Sequence, residues 1–320
     1  MGLYPRNLNE YAAQMGIPRS VGSKAFLVDY VNGSDSNTGT NWRWPLKTIE
    51  YAYSLCTTLK NDVIFLVANG TSNVAAAALV WAKDFTHLVG LGPAIPDEQR
   101  SRIKCGAALA TTPFVTWSGD GCIVKNISFW HETSDALGLV AVSVTGGRNL
   151  FESVQFAGAI GTNNATGACS LKLSGTSCSG NYFKNCTIGN DTVQLVTGVD
   201  DLELAGAPAH NTFDDCIFAH SAGAAANAHI RAAAAADVGR RNIFRRCLFL
   251  NEYATTHAQT EVYRQGGGAV SESSRVVFMD CAYYGSGTLQ NANSSCISNG
   301  VYATAIDGAK AGSGHMVIVA

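Results

Sequence analysis

Through the middle of the chain, apolar residues recur in a short motif rather than at helical spacing. An Asn, a spacer and a Phe are followed by two polar residues and then Cys-x-Phe or a near equivalent. The motif reads Asn149-Leu150-Phe151-Glu152-Ser153-Val154-Gln155-Phe156 and returns at 181–188, 211–218, 242–249 and 276–283, with a weaker copy at 124–129. Its first apolar slot falls at 124, 151, 183, 213, 244 and 278. A constant strand-like motif at a variable period predicts a β-solenoid whose loops absorb the length differences.

The slots read physically. The Cys slot and the second aromatic slot lie two apart, as inward residues of one strand do. The first Phe lies an odd number of residues before the Cys slot, so the chain must bend between them if both point inward. The bend slot holds Asn126, Ser153, Asn185, Asp215, Arg246 and Asp280, mostly residues that tolerate turn geometry. Coils stacked about 4.8 Å apart would place Phe over Phe and would put Cys186, Cys216, Cys247 and Cys281 in one column. The residue after Phe alternates in sign, Glu152, Lys184, Asp214 and Arg245, which puts opposite charges side by side on successive coils. Parallel coils imply right-handed crossovers. The predicted fold is therefore all-β, a right-handed parallel β-helix.

Before the repeat, 62–67 and 87–92 read as strands. Ile49, Ala52, Tyr53 and Cys56 fall on one face of a helix that starts near Pro45; such a helix would cover the open first coil, whose exposed edge invites polymerisation. Leu8, Tyr11, Ala12 and Met15 mark a shorter helix stopped by Gly16 and Pro18. It docks either on its own β-helix or on another subunit. The resulting division is an N-terminal anchoring arm at 1–23, a lead-in and capping helix at 24–60, the parallel β-helix at 61–287 and a C-terminal cap at 288–320, ending in the strand-like Met316-Val317-Ile318-Val319. The alanine run 232–236 sits where a coil must pass and reads as a tight loop or short helix, or else as a place where small side chains let another subunit or loop approach closely.

Composition narrows the function classes. With 22 basic and 24 acidic residues, net charge −2, the chain shows no electrostatic footprint for nucleic acid or an anionic membrane. No apolar run approaches the roughly 20 residues of a membrane span. Residues 1–16 lack the basic-then-apolar order of a signal peptide, so the ten cysteines are expected to be reduced thiols. No CxxC pair is present to suggest zinc, and no cofactor or metal is expected.

The segment Val28-Asp29-Tyr30-Val31-Asn32-Gly33-Ser34-Asp35-Ser36-Asn37-Thr38-Gly39-Thr40, followed by Pro45 and Lys47-Thr48-Ile49, resembles the start of pectate-lyase-like β-helix proteins. That superfamily includes polysaccharide lyases, polygalacturonases and many bacteriophage tailspike and virion proteins. The resemblance runs from about residue 26 to 285, and it speaks for the fold more than for an activity.

Candidate chemistry is sparse. Glycoside hydrolysis usually takes two carboxylates flanking the bond, and pectate lyases use clustered acids holding calcium with a basic residue nearby. The best acidic cluster is Asp191, Asp200, Asp201 and Glu203, with Asp214 and Asp215 one coil later. Asp214 already belongs to the alternating charge column and Asp215 to the bend column, so the weak catalytic candidates are Asp200, Asp201 and Glu203. Even these sit where turn-forming Asp is common. The ordered motif series of polygalacturonases is not present: Arg102-Ile103-Lys104 precedes every candidate acid, and Gly314-His315 is not followed by Gly. The seven histidines look scattered. These readings favour a non-enzymatic structural protein of a bacteriophage particle, a head decoration, head fibre or tail-associated protein, assembled in the bacterial host cytoplasm. The resemblance implies a homotrimer joined to other virion proteins through the N-terminal arm. The alternative is a tailspike that binds or degrades host surface polysaccharide as a lyase or glycosidase.

Overall fold

The computed structural model describes residues 7–69, 73–95, 101–106, 112–133, 139–161, 164–252, 259–268, 274–292, 296–304 and 316–318. Three sheets wrap one core, as a right-handed parallel β-helix. The first has ten strands, from Ala25–Val28 to Cys296–Asn299; the second has ten, from Asn73–Ala75 to Met316–Ile318; the third has eight, from Leu79–Trp81 to Ser286–Gln290. A representative coil runs Leu150–Glu152, Gln155–Gly161 and Cys169–Ser174, then rises to Tyr182–Lys184 on the next level. Ten parallel strands span about 43 Å at ~4.8 Å each.

The bend between the first and second sheets is a single left-handed residue. Asn126, Ser153, Asn185, Asp215, Arg246 and Asp280 all have φ between 51° and 56°, which lets Phe and the following Cys slot both face the core. The Phe column stacks nearly parallel: Phe151–Phe183 at 4.8 Å, Phe183–Phe213 at 4.4 Å, Phe213–Phe244 at 4.7 Å and Phe244–Phe278 at 5.3 Å. Each column cysteine donates its thiol to the Phe carbonyl of the coil below, as from Cys216 to Phe183 O at 3.4 Å and from Cys281 to Phe244 O at 3.3 Å.

The motif asparagines form a ladder of their own. Asn181 Nδ2 donates to Asn211 Oδ1 at 3.0 Å and Asn211 Nδ2 to Asn242 Oδ1 at 3.1 Å. The backbone N–H groups of Asn149 and Asn181 donate to the amide oxygen one coil up. A side-chain amide carries both donor and acceptor, so a column of identical residues satisfies itself. On the outer face the charge column pairs along the axis: Lys125–Glu152 at 3.0 Å, Glu152–Lys184 at 3.1 Å and Arg245–Asp214 at 2.5 Å.

The capping helix α2 (Ile49–Leu55) lies across the open first coil and buries Ile49 and Ala52, with Cys56 just beyond its end, against Phe26 and Ile64. Asp35 fixes its start by accepting from the Lys47 and Thr48 N–H groups and the Thr48 hydroxyl, and Thr48 in turn accepts from the Tyr51 N–H. The short helix α1 (Leu8–Gln14) docks on its own chain. Leu8, Ala12 and Ile17 pack on Ala25, Leu27, Val63, Phe65 and Val89, the outer side of the first sheet.

Both boundaries of the β-helix shift outward. Ala25–Val28 is already its first strand, paired with Asp62–Val67. Beyond 287 the stack continues through Cys296–Asn299 and Tyr302–Thr304 before Met316–Ile318 closes it antiparallel. Ser298 stands in the Phe278 column there, so the aromatic signal that marks the repeat is gone. The alanine run forms the end of a strand (Ala228–Ala232) and a 3-10 turn (Ala235–Asp237). Residues 1–6, 305–315 and 319–320, which include Gly314-His315, lie outside the described residues.

Two outcomes test this core. Phe213→Ala should cost about 3–5 kcal/mol in reversible denaturant unfolding, because a stacked column cannot close around the cavity; a loss under about 1 kcal/mol would contradict the register. All ten cysteines are free and nine are buried; burial pushes Cys56, Cys122 and Cys178 up to about 12. Cys186, Cys216, Cys247 and Cys281 should therefore resist alkylation, followed by intact mass, until denaturant is added.

Candidate functional site

The sequence cluster Asp200, Asp201 and Glu203 lies on one strand of the third sheet, Asp200–Ala205, whose Leu202 and Leu204 enter the core. Ladder partners run Asp200 to Ala228 and then Leu202 to Ile230, and Asp201 turns inward beside Leu202. Adjacent acids thus end up on opposite sides of the wall. Asp201 joins the interior, whereas Asp200 and Glu203 face outward with Arg231.

Inside, Asp201 bridges two histidines that no sequence motif had grouped. Its Oδ1 lies 3.1 Å from His220 Nδ1 and its Oδ2 lies 2.7 Å from His229 Nδ1. The two imidazoles stack, centroids 4.1 Å apart at 14°. The Gln259 amide donates to Ser286 Oγ and turns its Oε1 to His220 Nε2 at 2.5 Å. His220 thus faces an oxygen at each ring nitrogen. Burial opposes its protonation, but Asp201 and Gln259 outweigh it and raise the His220 pKa. His229 is the reverse case: burial, then the charge of His220, lowers it to about 4, and its Nε2 has no partner. The one signal in the sequence was parity, since His220 follows the inward Phe218 by two.

Three such groups within 4.8 Å of one another have the donor types of a metal centre. Their arrangement does not suit one. A metal about 2.1 Å from an imidazole nitrogen lies near the ring plane, and two stacked rings offer no point near both planes. Hydrogen bonds, with Asp201 as shared acceptor, account for the geometry.

Outside, Arg231 Nε sits 2.7 Å from Asp200 Oδ2, an ion contact off the hydrogen-bond direction. Arg231 also reaches Glu203 at 3.5 Å, and Lys172 pairs with Glu203 at 3.2 Å. Burial raises Asp200 to about 6 despite Arg231 and the Ala228 N–H. The Asp200 side chain is 1% exposed and that of Glu203 11%. A carboxyl titrating near neutrality is suited to proton transfer, but these two are held under cations rather than across an open groove.

The other acids are taken up by the frame. Asp214 is held at about 2, first by its hydrogen bond from Arg245, and also pairs with Arg246 at 2.6 Å, which reaches Asp215 at 2.7 Å. Lys104 of the Arg102-Ile103-Lys104 tripeptide pairs with Glu132 at 2.9 Å. Asp191 is exposed and lies on the second sheet, in the strand Thr187–Leu195, not on the third with Asp200 and Glu203.

No protein-family profile matches the chain, and no curated protein matches it by sequence. Solved structures match it by shape. A pectin methylesterase in complex with a hexasaccharide superposes with a TM-score of 0.59 at 13% identity, covering 90% of this chain and 91% of that one. The pectin methylesterase from Aspergillus niger in deglycosylated form gives 0.57 at 14% identity, covering 91% and 88%. Pectate lyase Pel9A gives 0.52 at 12% identity, covering 91% and 82%. At such identities the likeness establishes the pectate-lyase-like β-helix fold.

The buried histidines set the response to acid. Burial lowers His87, His131 and His229 to about 4, so the folded state binds fewer protons than the unfolded one below pH 6.5. Their contribution is complete above that pH and is lost as pH falls toward 4. Asp200, raised to about 6, works the other way between pH 6 and 4 and offsets one of the three. The free energy of unfolding should therefore decrease as pH falls from 6.5 to 4, by up to about 1.4 kcal/mol per pH unit for each uncompensated proton. His229→Gln should flatten that slope by about one proton; an unchanged slope would refute the assignment.

Proposed function

We propose that this chain is a structural rod of a bacteriophage particle, a head decoration, head fibre or tail-associated protein. The observation that carries the reading is where its chemistry-bearing side chains are spent. The Asn ladder, the cysteine column, the Lys125–Glu152–Lys184 series and the Lys172–Glu203–Arg231–Asp200 network all point along the axis, coil to coil. Such bonding makes a stiff column, as a particle component needs. The lead-in resemblance to virion β-helix proteins supplies the setting, with assembly in the host cytoplasm, parallel rods in a homotrimer, and attachment through residues 1–23. Because Leu8, Ala12 and Ile17 are spent on the chain's own wall, attachment falls to the outward side of that arm and to residues 1–6.

Mass spectrometry of purified particles of the encoding phage should find the chain at structural copy number, in multiples of three. Recombinant protein should sediment near three times 33.6 kDa. Deleting residues 1–6, which leaves α1 docked, should keep the trimer and abolish incorporation. Absence from particles would overturn the reading.

A second reading, a polysaccharide-degrading tailspike, is favoured by Asp200 titrating near 6 beside Glu203 on one outer face. Release of oligosaccharides from host surface polysaccharide by the wild type, lost in Asp200→Asn and Glu203→Gln, would put it first.

A further inference from the structure

Two columns run the length of the rod along the outer side of the first sheet. One stands at the corner where the third sheet turns into the first, and it climbs level by level from Asn61 to Arg275. The other lies two residues further along each strand and is largely apolar, from Val63 through Ile123 and Leu150 to Ile243, Val277 and Ile297. Together they make one strip.

The N-terminal end of the strip shows what it holds. There α1 lies along it, with Leu8, Ala12 and Ile17 packed on Val63 and its neighbours and Ile123 at the margin. Just past the helix, Arg19 Nη1 donates to Asn61 O in the corner column at 2.9 Å. The corner is acidic at this end. Asp84 and Asp120 stand beside it on the next two levels, the Asp120 N–H donating to Asp84 Oδ1 at 2.9 Å. An apolar segment with a base at its edge thus meets an apolar column with an acidic edge.

At the other end the sign is reversed and the strip is open. The corner column holds His210, Arg241 and Arg275 on successive levels, with Arg240 next to Arg241. Arg240 and Arg241 are exposed. Among the described residues Arg240, Arg241 and Arg275 enter no ion pair, whereas Arg245 and Arg246 across the strip are held by Asp214 and Asp215. Between these edges Ile297 is 49% exposed, and Met279, which follows Arg245 in its column, is 37% exposed.

Unpaired cations beside exposed apolar side chains fit a guest that carries carboxylates and apolar groups together. Levels ~4.8 Å apart match side chains three or four apart on a helix, at about 5–6 Å, better than alternate residues of an extended strand at ~6.8 Å. A nucleic acid would need aromatic faces for its bases, and the strip from Ile243 to Ile297 has none. We infer that this end of the first sheet docks an amphipathic helix of another protein, roughly two to three turns long. Its apolar side chains lie on Ile243, Val277 and Ile297, and its carboxylates meet Arg241 and Arg275. The contact repeats the packing of α1 with the charges exchanged, and it gives the rod a docking surface separate from residues 1–23.

The test uses the full chain and fluorescence anisotropy with a labelled Leu/Glu peptide of about 18 residues, its leucines at i, i+3, i+4 and i+7. The peptide should bind saturably, and a scrambled peptide of the same composition at least ten-fold more weakly. Arg241→Glu and Arg275→Glu should each weaken binding at least ten-fold with the unfolding midpoint unchanged. Arg241→Glu should in turn prefer the peptide with Lys in place of Glu, which shows that the variant is folded and that the contact is charge-matched. Absence of binding overturns the inference. So does equal binding of the scrambled peptide or of oligo(dT), since charge alone would then suffice. If Arg241→Glu lowers the sedimenting mass of the chain by itself, the strip is a contact between copies, and the inference falls as well. None of these results bears on whether the chain is found in particles.

Discussion

The interior columns of this protein stack side chains directly over one another, many of them identical. The parallel ladder repeats at about 4.8 Å, and the left-handed bend at Asn126, Ser153, Asn185, Asp215, Arg246 and Asp280 keeps each coil in the same phase as the last. Only some side chains meet that constraint. Phe does so by parallel stacking, Asn by carrying donor and acceptor on one amide, and Cys by giving its thiol to a carbonyl one level down. Like charges do not, so the outer column alternates in sign.

The same constraint accounts for the interior histidines. Asp201 and His229 occupy neighbouring levels of the third sheet, and His220 comes across from the second. A lone buried carboxylate would be prohibitive. Here it is shared by two imidazoles, and His220 is in turn held by Gln259, which donates to Ser286. The network is complete except at His229 Nε2, which leaves acid as the condition that strains it.

Departures from the ladder are where an outer surface acquires features. Between Asn190 and Gln194 the chain leaves its register, and Asp191 and Thr192 are left exposed on the second sheet.

The sequence by itself determined the fold and its register. The Phe and Cys spacing required a bend of one residue, the polar character of the bend slot named which residue, and the sign alternation confirmed which residues stack; the capping helix was legible from Ile49, Ala52 and Cys56. Each of these is a local pattern repeated, and repetition makes it visible. The end of the stack was not legible, because Ser298 replaces Phe in the last coil. Nor was the fate of the acids. Asp200 and Asp201 are neighbours in sequence, but one faces outward to Arg231 and the other inward to His220 and His229. Which side of a wall a residue faces, and which distant residues meet it there, depends on how each coil closes in space, which a periodic pattern along the chain does not contain. Those were decided only by the tertiary structure.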